Sequence, residues 1–139
     1  EYMPFKGNGW RRAELVSFAE MRNRILNRHD LIPVDSGDPS DVARDFCIRG
    51  FEGKVSFITS MTQDFCNGCN RIRLLADGSI KSCLFHKPEE NLRDALRRGA
   101  GDGKLEQLIR SSIEQKIEKH EPMDELESVV DRSMIEIGG

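Results

Sequence analysis

The 139-residue chain has no surplus of positive charge: 21 Lys and Arg stand against 24 Asp and Glu, giving a net charge of −3. Affinity for nucleic acid without sequence preference comes from excess cations, so this balance argues against such a binder. No run of about 18 apolar residues occurs, which excludes a membrane-spanning helix. Cysteine is scarce. Four of them fall far short of the ~8–10% typical of a disulfide scaffold, and their clustering points to a metal site in a reducing compartment. There is no initiator Met and no signal-peptide pattern. The chain opens Glu1-Tyr2-Met3-Pro4 as if inside a strand that the proline ends, so a piece of a longer polypeptide is expected. With 37% hydrophobic residues and a mean hydropathy of −0.53, the core is modest. The length suits one domain, or two small halves sharing a core.

Hydrophobic spacing predicts an amphipathic helix over 13–28, with Leu15, Phe18 and Ile25 on the buried stripe. Residues 33–41 are dense in turn formers and read as a loop or linker. The stretches 46–51 and 54–60 are β-like and separated by Gly53. Residues 71–75 and 79–85 flank Ala76-Asp77-Gly78, a hairpin signal. Asn91 is a candidate N-cap for a short helix ending at Gly99, and a longer helix is expected over 104–120. The fold class is α+β.

Cys66-Asn67-Gly68-Cys69 is a C-x2-C step, and Cys83 follows after thirteen intervening residues. Two thiolates on one tight turn can converge on one metal centre, and Gly68 permits a backbone that other residues resist. Thiolates are soft ligands that select zinc, Cu(I) or iron–sulfur clusters. The hairpin register decides whether Cys83 can join them. A two-residue loop, Asp77-Gly78, sets Cys83 opposite Ile72. A three-residue loop with Gly78 left-handed sets it opposite Arg71, placing Cys69, Arg71, Arg73 and Cys83 on one face. A shared site needs the second register. Spacing alone leaves zinc and iron–sulfur open: with His86, three residues after Cys83, the set is Cys3His. Cys47 lies in an apolar strand and reads as a core residue.

Several segments together resemble the C-terminal part of the GTP 3′,8-cyclase family, radical S-adenosylmethionine (SAM) enzymes of molybdenum cofactor biosynthesis. They are Glu1-Tyr2-Met3-Pro4-Phe5 with Gly7-Asn8, residues 56–61, residues 65–74, Cys83-Leu84-Phe85, residues 91–94 and the terminal Ile137-Gly138-Gly139. They follow the family's order and cover nearly the whole chain. The run Cys-x2-Cys-Asn-Arg-x-Arg followed by Cys-Leu-Phe is the specific part. Ser133 stands where the family commonly carries proline.

The resemblance implies that residues 1–30 are the last strand–helix unit of an incomplete TIM barrel, 31–45 a linker, and 46–139 a C-terminal cluster and GTP-binding domain. It implies that Cys66, Cys69 and Cys83 hold a [4Fe–4S] cluster whose fourth iron is open to the purine of GTP. It assigns Arg71, Ile72 and Arg73 to GTP contacts, Met3 to SAM, and Gly138 and Gly139 to a catalytic tail. A second cluster, which cleaves SAM to start the radical chemistry, would lie upstream. The implied partners are GTP, a second copy in a homodimer, and cyclic pyranopterin monophosphate synthase downstream. The implied compartment is bacterial cytoplasm or mitochondrial matrix. Taken singly, the residues read more plainly: Arg71 and Arg73 as a solvated strand edge, Met3 as core, Gly138-Gly139 as a frayed tail. A structural Cys3His zinc module is one rival. A ubiquitin-like carrier tail is another, although it gives the cysteine hairpin no task.

Overall fold

The computed structural model describes residues 1–88 and 90–137. The chain forms two compact units, one from Glu1–Met3 with Trp10–Asn70, the other from Pro4–Gly9 with the residues from Arg71 onward. Small antiparallel sheets and helices make up both, so the class is α+β as expected.

In the first unit a three-stranded sheet runs in the order β1 (Leu31–Val34), β2 (Ala43–Ile48), β3 (Lys54–Ile58), all antiparallel. Helix α1 (Phe18–Leu26) packs its apolar stripe onto it. Phe18, Phe46 and Phe57 form the core, with Met21, Ile25, Leu31 and Val55 around them. Phe18 and Phe46 each meet Phe57 edge-on, at centroid distances of 5.2 and 5.5 Å, the arrangement aromatic quadrupoles favour.

The helix expected over 13–28 begins later. Ser17 is its N-cap, its hydroxyl accepting the Glu20 N–H at 3.2 Å, and Arg12–Glu14 forms a separate 3-10 turn. The loop expected over 33–41 also starts later, because Pro33 and Val34 close β1. Proline is tolerated there since β1 is an edge strand with a free N–H side. The carboxylate of Glu1 accepts the N–H groups of Phe18, Met61 and Thr62 at 2.7–2.9 Å, tying the first residues to the start of α1.

The second unit holds a sheet in the order β4 (Arg73–Leu74), β5 (Ser79–Lys81), β6 (Glu90–Asn91). Four helices follow: α2 (Leu92–Arg97), α3 (Asp102–Glu114), α4 (Met123–Val129) and α5 (Met134–Ile137). Asn91 caps α2 as expected, its Oδ1 accepting the Asp94 N–H at 2.9 Å, and Gly99 follows the helix with φ +84°. The long helix expected to reach residue 120 stops at Glu114. The strands of the hairpin are shorter than expected, since residues 82–86 bend instead of continuing β5. Leu75, Ile80, Phe85, Leu126 and Ile137 are buried, with Phe5 stacked on Phe85 at 6.2 Å.

Candidate functional site

In the first unit Cys66–Gly68 is one turn of 3-10 helix, closed by the Cys69 N–H donating to the Cys66 carbonyl at 3.0 Å. The C-x2-C step is thus a single tight turn with a half-buried thiol at each end. Gly68 is needed for a different reason from the one spacing suggests. It is not among the glycines with positive φ. Instead, a Cβ there would stand 2.0 Å from the Pro39 carbonyl oxygen, so the requirement is room.

In the second unit the hairpin adopts the three-residue loop. Arg73 pairs with Lys81 and Leu74 with Ile80, while Gly78 sits at φ +82°. The ladder ends at Arg73 and Lys81, since residues 82–86 bend, so the pairing extends to neither Arg71 nor Cys83. The exposure along the first arm reverses the usual pattern: Arg71 and Arg73 are half-buried, while Ile72 is 44% and Leu74 67% exposed. An ordinary solvated strand turns its cations out and its aliphatics in. The Arg71 carbonyl accepts a hydrogen bond from Lys116 Nζ at 2.8 Å, which fixes the backbone at the head of the arm.

All four cysteines are free thiols and half-buried. Cys66 and Cys69 belong to the first unit and Cys83 to the second. Among the described residues no three His, Cys, Asp or Glu side chains are gathered to take a metal ion. The donor set itself is three soft thiolates, two of them on one turn, and it suits an iron–sulfur cluster or zinc. A metal's bonds contribute much of the free energy that gathers such ligands.

Of the other candidates, Ile72 faces away from Arg71 and Arg73, and Met3 is half-buried in the first unit. Cys47 is half-buried on β2 opposite Ile32 and Lys54. His86 Nε2 lies 2.7 Å from Glu121 Oε2. Burial works against the charge on Glu121, but its own backbone N–H, the His86 hydrogen bond and the nearby imidazoles hold its carboxyl below the usual range. Gly138 and Gly139 lie outside the described residues.

Sequence reading passes over a charged cluster on the same hairpin. Lys81 is fully buried and pairs with Asp131, Nζ to Oδ1 at 3.2 Å. Arg132 pairs with Asp77 at 2.8 Å. The hydroxyl and N–H of Ser79 lower Asp77 to about 2; burial opposes this and Arg132 assists. The signal available in the sequence was the adjacent Asp131-Arg132 near the chain's end, which has no helical or strand spacing to explain it.

Residues 1–122 match the Molybdenum Cofactor Synthesis C family. Over all 139 residues the chain is 45% identical to GTP 3′,8-cyclase, mitochondrial, of Arabidopsis thaliana, covering 36% of that protein. It is 42% identical over 138 residues to molybdenum cofactor biosynthesis protein 1 of Mus musculus, 99% of this chain and 22% of the relative. A GTP 3′,8-cyclase of Rhodopirellula baltica is 35% identical over 144 residues, 100% of this chain and 40% of its own length. The chain therefore spans well under half of each of these relatives. The extent of the match leads to one conclusion: this chain belongs to the Molybdenum Cofactor Synthesis C family.

Proposed function

We propose that the chain is the cluster- and substrate-carrying C-terminal region of a radical SAM GTP 3′,8-cyclase, which converts GTP to (8S)-3′,8-cyclo-7,8-dihydroguanosine 5′-triphosphate in molybdenum cofactor biosynthesis. One observation carries this reading: the reversed exposure of the hairpin arm, with two arginines half-buried and two aliphatic residues exposed. Guanidinium forks suit phosphate and purine acceptors alike, so a nucleotide polyphosphate fits this face. The relatives named GTP 3′,8-cyclase support the same substrate.

Within this reading Arg71 and Arg73 hold the nucleotide on one face of the arm, and Ile72 contributes through the backbone between them. Cys66, Cys69 and Cys83 would hold the cluster. When bound, a [4Fe–4S] cluster on three thiolates supplies an iron open as a Lewis acid for a purine atom. Fixing the purine at one end and the phosphates at the other orients the ribose between them. Met3 is assigned to SAM, Gly138-Gly139 to the reacting end of the nucleotide, and residues 1–30 to an incomplete barrel completed by the rest of the protein.

A Cys3His zinc module is the second reading. It is favoured by Glu121 on His86 Nε2, because metal-bound imidazoles usually carry such a carboxylate on the other ring nitrogen. Anaerobic reconstitution with iron and sulfide separates the two. A brown protein whose cluster is lost in Cys66→Ser, Cys69→Ser and Cys83→Ser supports the first reading. A colourless protein holding one zinc, lost in His86→Ala, supports the second. In the full-length protein Arg73→Ala is expected to weaken GTP binding roughly tenfold or more, the worth of a charged hydrogen bond. Unchanged affinity would remove the nucleotide from this face.

A further inference from the structure

The cluster around Lys81 has no task in the binding of nucleotide or metal as described so far. Its ammonium is wholly buried, which is costly without a counter-charge, and the described acceptor is Asp131, fifty residues further on. Lys81 sits directly opposite Arg73, so it occupies the same face of the hairpin as that guanidinium. Asp131 is therefore drawn to the face that carries the arginine row.

The next residue makes a second attachment. Arg132 reaches the hairpin tip, Nη2 to Asp77 Oδ2 at 2.8 Å, and its Nε lies 3.7 Å from Asp131 Oδ2. Asp77 uses its other oxygen to accept the Ser79 N–H at 2.9 Å, so the carboxylate is fixed before Arg132 arrives. The Arg132 carbonyl accepts the Lys6 N–H at 3.1 Å. Immediately afterwards the Ser133 N–H and hydroxyl both donate to Glu136 Oε2 at 2.8 Å, opening α5, and Ile137 is buried. Two neighbouring residues of opposite sign thus meet opposite signs at two points of one hairpin. A slip of one residue would set like charges together, so the pairing fixes register as well as position.

We propose that Asp77, Lys81, Asp131 and Arg132 form a clasp that fixes the start of the C-terminal segment to the arginine-bearing face of the hairpin. They are positioning residues for the chain's last residues, an assignment that rests on the GTP-cyclising reading above. The clasp sets where the segment from Ser133 begins, beside the arginine-bearing face.

The test uses the full-length protein carrying Asp131→Asn, Arg132→Gln or the conservative Arg132→Lys. Three quantities are read: amide hydrogen exchange over residues 133–137, the ratio of cyclised product to 5′-deoxyadenosine released from SAM, and GTP affinity. In Asp131→Asn and Arg132→Gln, exchange is expected to quicken roughly tenfold or more and the ratio to fall by a similar factor. GTP affinity should stay within about twofold, and Arg132→Lys should recover most of the loss. Arg132→Gln leaves the buried Lys81–Asp131 pair in place, so it decides the matter should Asp131→Asn fail to fold. Unchanged exchange overturns the clasp. Faster exchange with an unchanged ratio overturns its positioning role. An unaltered protein that makes no cyclised product from GTP overturns the proposed function instead, and exchange alone then decides the clasp.

Discussion

Gly78 meets two requirements together. Its φ of +82° lies in the left-handed region, and an added Cβ would stand 2.3 Å from Arg93 Cβ. The first costs an L-residue about 1–2 kcal/mol and the second is overpacking of about 1–3 kcal/mol. Gly78→Ala is therefore expected to lose at least about 2 kcal/mol in denaturant unfolding, and an unchanged midpoint would contradict the tight loop. Beside it, Asp77 is held at about 2 against its ordinary 3.8 by the Ser79 hydroxyl and N–H, with Arg132 helping. A depressed carboxyl stabilises the fold above its unfolded pKa and loses that contribution as pH falls through the folded one. The stability gap between the unaltered chain and Asp77→Asn should hold steady above about pH 4 and close toward pH 2. A gap that closes near neutrality instead would assign the stabilisation to another group.

At the scale of elements, Asn91 joins a strand to a helix. Its Oδ1 caps α2 through Asp94, while Nδ2 donates to the Asp77 carbonyl at 3.2 Å and the Ser79 hydroxyl at 3.3 Å. Asn91→Ala should cost about 1 kcal/mol for the cap, plus a comparable amount for the hairpin contacts. Asn91→Ser should restore the cap share alone, which thermal unfolding of the pair can read. The cap, the stop at Gly99 and the presence of a hairpin around Asp77-Gly78 were legible in the sequence, because each depends on a few neighbouring residues. Element lengths were less so. Apolar spacing continues through Leu15 and Ile117, yet Ser17 starts α1 late and α3 ends at Glu114. Periodicity reports which face would be buried, not how far the supporting surface extends. Strand β1 was missed since Pro33 reads as a breaker unless its edge position is known.

At the scale of the whole molecule, the chain spans 36% of its plant relative and 22% of its mouse relative. The proposed reaction draws on a SAM-cleaving cluster that the 139 residues do not contain: beyond the C-x2-C step and Cys83 there is only Cys47. The isolated chain, reconstituted and given GTP and SAM, should release neither 5′-deoxyadenosine nor cyclised product by chromatography. Turnover by the chain alone would refute its assignment as one part of a larger enzyme. The sequence by itself determined the family, the C-x2-C turn and the cap at Asn91, since short-range turn chemistry and spacing fix these, while it left two hairpin registers between which the structure decided. Only the tertiary structure decided that Arg71 and Arg73 are sheltered while Ile72 and Leu74 meet water, and that buried Lys81 finds Asp131. Those outcomes depend on which surfaces pack together across fifty residues of chain, and no local pattern encodes that.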